Sequence, residues 1–384
     1  MRRPGTGVRD LTVVAIPFYF GGMAVEYLWL QRHAARRDTT AVGYERRDTL
    51  ASLAMGVGSL VAPLIVPRIL APVTPGKGRW GRVTVAAVVA AAAVTTVADH
   101  VVRRDARRWT ARPTSETSAI DVPPAGEVDS ARRVAAVAGV TAVALGGAVV
   151  ASTWADRTAP GRLWKHHLLP DLGRGPVALA LAIAGWDFIY YWNHRIMHEC
   201  RYLWAIHVVH HSSERYNLST ALRQPVADAV GPSVPYGLLC LAGISPELVA
   251  TARGVNLLYQ FWIHTEAVGR LGAPEKILNS PSHHRVHHGS NSRYLDRNHG
   301  SILILWDRLF GTFEREAEPA VYGLTKDIDT FDPVRIATHE FVELFGDVAR
   351  STGWGERLSH VVRGPGWRAR HPEAPEPAAC PGLG

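Results

Sequence analysis

Five long apolar runs, separated by arginine-rich gaps, constrain this chain more than any other feature. They are Leu11–Leu30, Leu50–Val73, Val83–Ala98, Val134–Thr153 and Pro176–Trp192. A helix of roughly 20 apolar residues crosses the hydrocarbon core of a bilayer, and several runs approach that length. Val83–Ala98 is short and very rich in alanine, which makes it the weakest span. Two or three such runs would fit the core of a water-soluble protein. Five at regular intervals favour a membrane, and the fold class expected is all-α, an integral membrane helical bundle.

Charge placement agrees. Charged residues make up 20% of the 384, below the roughly 25% of soluble domains. The net charge of +8 suits either nucleic acid or the cytoplasmic loops of a membrane protein. Arg32, Arg36, Arg37, Arg46 and Arg47 fill one gap between apolar runs, and Arg103, Arg104, Arg107, Arg108 and Arg112 another. No aromatic residues interleave with them as a base-stacking platform requires, so no nucleic-acid partner is expected. The basic start of MRRPGTGVRDLTVVAIPFYFGG resembles a signal peptide. No small-residue cleavage site follows, and Glu26 and further apolar residues come next, so it is read as an uncleaved first span. Cys200, Cys240 and Cys380 have no metal or disulfide spacing.

Residues 1–100 are expected to hold the N-terminal membrane spans. Residues 101–133, with Pro113, Pro123 and Pro124, read as a polar loop. Residues 134–330 carry further spans and a histidine-rich domain. Residues 331–364 contain a segment with helical apolar spacing at Val334, Ile336, Phe341, Leu344 and Phe345. Residues 365–384, ending PEAPEPAACPGLG, read as a disordered tail. Between Pro232 and Ile263 two apolar pieces, Val234–Ile244 and Leu248–Ile263, are broken at Ser245–Pro246. The first is too short to span, so a hairpin entering and leaving on one side is expected, which returns His264 to the side of His211. The arginine-rich stretches Gln31–Asp48 and Val101–Arg133 should share the cytoplasmic side with the histidine domain. Strict crossing by every run conflicts with that count, so at least one run must be re-entrant or merely buried.

Eleven of the 18 histidines fall between His194 and His299. That enrichment is modest, and the spacing carries the argument. The first cluster, His194-Arg-Ile-Met-His198, places two imidazoles at i and i+4 on one helical face. The second is His207-Val-Val-His210-His211, and the third runs from His283 through His284, His287 and His288. Each HxxHH pattern places residues i and i+3 or i+4 on one helical face, and the adjacent histidine points about 100° away, towards a second ion. His194, His198, His207, His210, His211, His284, His287 and His288 exceed the four ligands that close a structural zinc site. Two metal ions are the economical interpretation, and imidazole suits iron, zinc, copper or nickel. No Glu-x-x-His pairs of the soluble di-iron type accompany them. Asp187, Glu199, Glu214, Glu266 and Asp296 are candidates to orient imidazoles through the non-ligating ring nitrogen. Arg195, Arg223 and Arg285 lie beside the clusters as headgroup or donor-protein contacts, or as structural ion pairs. Tyr191, Trp192 and Trp204 read as interface anchors or channel lining.

The set HxxxH, HxxHH, HxxHH resembles the signature of the fatty acid hydroxylase/sterol desaturase superfamily. DFIYYWNHRIMHECRYLWAIHVVHHSSERYNLSTALRQP, FWIHTE, LNSPSHHRVHHGSNSRYLDRNHG and ILILWDRLFGTFERE are similar to its alkylglycerol monooxygenase branch, densely from about Gly185 to Glu316. The resemblance implies an iron-dependent oxidoreductase, a monooxygenase or desaturase. It implies two Fe ions in a cytoplasm-facing di-metal domain, O2 as oxidant, and a lipid substrate reached from the membrane. The electron donor is unknown, with an electron-transfer partner expected; tetrahydrobiopterin enters by resemblance alone. The eight histidines carry over directly, and His264 in FWIHTE matches a ninth. His283 and His299 are less secure, since many members have Tyr at the position of His299. Two alternatives stay open: a zinc-dependent membrane hydrolase, and a non-catalytic metal-binding membrane protein.

Overall fold

A computed structural model describes residues 11–33, 43–110 and 125–369. Among them the chain is helical, with no strand beyond an isolated bridge between Leu278 and Leu303. The apolar runs resolve into helices α1 (Ile16–His33), α2 (Arg46–Leu70), α3 (Gly81–Thr110), α4 (Ala125–Arg157) and α5 (Pro176–Glu199). Among the described residues three segments are long and apolar enough to cross a membrane: Arg46–Val73, Gly81–Arg107 and Val128–Arg157. Of the five apolar runs, at least one was expected to be re-entrant or merely buried, and the run read as the weakest span is one of the three. Val83–Ala98 was underestimated because its helix continues on both sides. Leu11–Leu30 and Pro176–Trp192 are not among the three. α1 has only 18 residues and holds Glu26 buried, and α5 buries Asp187, Asn193 and two histidines along its length.

The polar stretch 101–133 is also helical at both ends. α3 runs to Thr110 and α4 starts at Ala125, so its prolines lie outside the described residues. The same holds for Cys380, and for nearly all of the tail beyond residue 369. α3 and α4 pack as an antiparallel pair. Gly139 of α4 lets a side chain pass between them: a Cβ there would stand 2.8 Å from Arg357 Nε.

After α5, a single extended residue, Cys200 (φ −122°), redirects the chain into α6 (Arg201–His211). The hairpin expected at 232–263 is present in outline. Its descending piece is irregular apart from one turn at Leu238–Leu241, and Ser245 caps the returning α7 (Pro246–Ile263), with Pro246 in its first turn. α8 (Pro281–His288) is buried at every position, and α9 (Leu305–Phe310) packs beside α5. The amphipathic segment forms α10 (Pro333–Arg350) and α11 (Trp354–Val362). α10 lies on α6, and Arg201, 2% exposed, pins it through Glu340 (2.8 Å) and Asp347 (2.5 Å).

Two buried ion pairs bind the long helices to the histidine end of the bundle. Asp48 of α2 holds Arg223 at 2.7 Å, and Asp99 of α3 holds Arg357 of α11. Removing one partner of a buried pair leaves an uncompensated charge and costs about 3–5 kcal/mol, whereas apolar replacement of both is often neutral. Arg357→Met should therefore lower the unfolding temperature of the detergent-solubilised protein clearly. The double change Asp99→Leu with Arg357→Met should recover most of the loss.

Candidate metal centre

Each histidine is delivered by a local rule of helix geometry. His194 and His198 stand one turn apart on α5. The one-residue break at Cys200 brings α6 back so that His207, His210 and His211 face them. His264 occupies the C-cap of α7, outside the regular turn, and α8 supplies His284, His287 and His288. These nine side chains form two groups, each with its ligand nitrogens within 4.8 Å of one another. His194, His198, His207, His211 and His287 make one, and His210, His264, His284 and His288 the other. Each HxxHH motif gives its outer pair to one group and its middle histidine to the other. His207 and His211 join the first group and His210 the second; His284 and His288 join the second and His287 the first.

His283 and His299 belong to neither group. His283 packs its ring against Phe313 at 5.4 Å. His299 is fully buried beside His198, but its contribution to the group is its backbone carbonyl.

Hydrogen bonds fix how the imidazoles present themselves. Nδ1 of His194 meets the carbonyl of His299 at 2.8 Å, and Nδ1 of His287 that of Arg297 at 3.0 Å. Nδ1 of His210 meets the Arg223 carbonyl at 3.2 Å, and Nδ1 of His264 that of Gln260 at 2.6 Å. A carbonyl can only accept, so in these four residues Nδ1 carries the proton and a neutral ring leaves Nε2 with a bare lone pair. Burial holds the rings neutral. It pushes His210 down to about 4, and His207, His211, His284, His287 and His288 well below the usual imidazole range, with neighbouring histidines adding to the effect.

Those lone pairs converge. Nε2 of His264 lies 3.1 Å from Nε2 of His210, 3.0 Å from that of His284 and 3.2 Å from that of His288. Nε2 of His207 lies 2.9 Å from that of His194 and 3.2 Å from that of His211. Nε2 of His198 and of His287 are buried with no hydrogen-bond partner. Facing lone pairs repel, and an unpaired buried polar atom costs about 1–3 kcal/mol. A cation removes both costs. Two nitrogens about 2.1 Å from one ion and at right angles around it lie about 3.0 Å apart, the spacing seen here. The residues therefore fit a metal ion in each group. Among the described residues neither group includes a carboxylate or a thiol.

The expected orienting acids are mostly elsewhere. Only Asp296 touches a clustered imidazole, its Oδ1 standing 3.3 Å from His198 Nδ1. Asp187 instead accepts from Ile302 N, Leu303 N and Trp306 Nε1. Glu199 pairs with Arg195, Glu266 accepts from Tyr322, and Glu214 interacts with Asp327. The three arginines beside the clusters are paired: Arg195 with Glu199, Arg223 with Asp48, and Arg285 with Glu316 through two bonds of 2.6 and 2.8 Å. Tyr191 is not an interface anchor. It is fully buried and bonds to Thr312, while Trp204 covers His198 and His211 at ring distances of 5.0 and 5.5 Å. Sequence reasoning missed the main orienting groups because they are backbone carbonyls, which no residue type announces.

Residues 179–312 match the fatty acid hydroxylase family. The chain is 46% identical over 206 residues to alkylglycerol monooxygenase of Homo sapiens, covering 53% of this chain and 46% of that one. It is 48% identical over 203 residues to alkylglycerol monooxygenase of Danio rerio, covering 53% and 45%. It is 28% identical over 166 residues to the ornithine lipid hydroxylase OlsE of Rhizobium tropici, covering 42% and 49%. The chain thus spans about half the length of these curated relatives. No solved structure matches it.

The purified protein is expected to carry two transition-metal ions per chain, measured by elemental analysis after growth with ample iron. His284→Ala should cost mainly the ion of the four-histidine group and His287→Ala that of the other, each leaving about one ion per chain. A wild-type value of one or fewer would contradict the arrangement.

Proposed function

We propose that this chain is a membrane-bound, di-iron lipid hydroxylase using O2, a reading supported by the match of residues 179–312 to the fatty acid hydroxylase family. The observation that carries the reading is the pair of convergent, carboxylate-free imidazole groups at the end of a bundle with three membrane-length helices. The relatives named for alkylglycerol and ornithine-lipid oxidation support a lipid with a saturated alkyl chain as substrate. Imidazole donors are compatible with iron.

An alkyl C–H bond is too inert for side-chain acid–base chemistry. When bound, the two ions supply the activation of O2 that such a bond demands. One oxygen atom enters the C–H bond. The other leaves as water, with two electrons from an electron-transfer partner and two protons. The chain's own part is to hold nine nitrogens converged before the ions arrive. It also keeps bulk water away, for every clustered histidine is buried. Fixed donors in a dry site need no rearrangement during reaction. Hydrolysis fits less well, since neither group offers a carboxylate to act as base at a metal-bound water.

The histidine end is assigned to the cytoplasm. The described ends of the arginine-rich stretches lie there: Asp48 bonds to Arg223 and Ser213, and Arg103 to the Thr352 carbonyl. Arginine-rich flanks favour the cytoplasmic side. Single cysteines at Ala125 and Ser212, in a protein cleared of its native cysteines, should react from the same face. Labelling from opposite faces would overturn the assignment.

The direct test is lipid profiling of a strain lacking the gene, with and without complementation. Wild type should restore an oxidised lipid that the deletion lacks. His210→Ala or His287→Ala should lower its formation by at least about 100-fold per inserted molecule, since losing a ligand misaligns its neighbours. His166→Ala, an exposed histidine outside both groups, should leave it unchanged. Near-normal turnover in His210→Ala would sink the di-iron reading.

A further inference from the structure

One short segment, Asp296–Gly300, reaches three of the five histidines of the first group. Asp296 offers its carboxylate to His198, Arg297 its carbonyl to His287, and His299 its carbonyl to His194. Among the described residues no hydrogen bond joins it to a histidine of the second group; His210 and His264 are oriented instead by carbonyls of Arg223 and Gln260. The segment therefore acts on one group alone.

Its backbone explains how. Asp296 and Asn298 both have φ of 56°, the left-handed region that side chains other than glycine seldom adopt. Left-handed residues two apart turn the intervening peptides so that the carbonyls of Arg297 and His299 both serve the same cluster. Asn and Asp tolerate this conformation better than other residues with a β-carbon. Asn298 is fully buried and completely bonded. Its Nδ2 donates to the carbonyls of His283 (3.0 Å) and Glu314 (2.8 Å), and its Oδ1 accepts from Glu314 N (2.8 Å). Asp307 holds the other end, accepting from His299 N (2.7 Å), Gly300 N (2.8 Å) and Thr312 Oγ1 (2.7 Å). A Cβ at Gly300 would stand 2.5 Å from the Leu303 carbonyl and 2.8 Å from Asp307 Oδ2, so that position admits only glycine.

We propose that Asp296–Gly300 is a positioning loop dedicated to the five-histidine ion, with Asn298 the residue that fixes its conformation. This inference rests on the two-ion reading above. Asn298 touches no clustered imidazole itself, and its effect is transmitted through the two carbonyls. Loss of a partner that orients a ligand costs about 10–100-fold in metal affinity, and here the loss should fall on one ion of two.

The test is chelator competition with EDTA on the purified, metal-loaded protein, followed by metal content per chain. Wild type should release two ions with high resistance. In Asn298→Ala, which loses three hydrogen bonds and strains the left-handed backbone, one ion should become at least about 10-fold easier to remove, the other unchanged. Asn298→Gly keeps the backbone conformation and should recover part of that resistance, which a merely disordered fold would not show. It also stands in if Asn298→Ala fails to fold. His264→Ala, which removes the other ion, locates the effect: adding Asn298→Gly should weaken the single remaining ion. Wild-type resistance in both Asn298 variants, or an effect confined to the ion lost in His264→Ala, would overturn the proposal. A wild type holding one ion would overturn the two-ion reading, and this inference with it.

Discussion

The arrangement of the histidine half depends on five imidazoles whose outer nitrogen is engaged by a backbone carbonyl or a carboxylate. For His194, His210, His264 and His287 a carbonyl accepts from Nδ1. That choice leaves the Nε2 lone pairs pointing inward, where they crowd to 2.9–3.2 Å. A buried cluster of this kind is unfavourable by itself and favourable around a cation. Metal affinity is thus built from the same contacts that would otherwise strain the fold, which links binding to stability.

The scaffold needs rigidity because the donors come from four separate places in the chain, α5, α6, the end of α7 and α8, while the loop before α9 adds orienting contacts. Ion pairs buried against the histidine end supply it. Asp48–Arg223 is the clearest case. The guanidinium of Arg223 also bonds to Ser52 and Ser212, while its carbonyl orients His210. One residue therefore joins a membrane-length helix to a clustered imidazole. Arg285 does comparable work on α8, where Glu316 and the carbonyls of Thr265 and Val268 surround it. An uncompensated charge at either place would be costly, so the helices cannot drift without disturbing the cluster.

The helical class and the grouping of histidines were legible because each rests on local periodicity. Apolar run length gives helices, and i, i+3 and i+4 spacing gives shared faces. The assignment of His210 to one group and His211 to the other follows from the same 100° step. Other features were hidden because they depend on tertiary partners. Val83–Ala98 looked short because the polar residues beyond it also continue the helix. Asp187 and Glu266 looked like orienting acids by proximity in sequence, yet each holds a neighbouring loop. Arg223 and Arg285 looked available for ligands because nothing local reveals Asp48, 175 residues away, or Glu316. The left-handed Asn298 could have been suspected from an Asn two residues before a Gly, but its carbonyl neighbours carry the consequence.

The donor set has a further electrostatic consequence. Imidazole donors carry no negative charge to offset that of bound cations, and low-dielectric surroundings would strengthen that uncompensated field. Such a set favours the lower-charge state of each ion relative to a carboxylate-rich one, and a more oxidised pair is correspondingly demanding of electrons. Among the described residues Asp296 is the one carboxylate bonded to a clustered ring, and its side chain is 61% exposed, so solvent screens much of its charge. It acts on His198 and hence on the five-histidine group alone. The two groups therefore differ in donor count, in the origin of their orienting contacts and in nearby negative charge. Two ions held this way would be chemically inequivalent, through the unequal donor count and through the contacts that the short turn between α8 and α9 makes with one group.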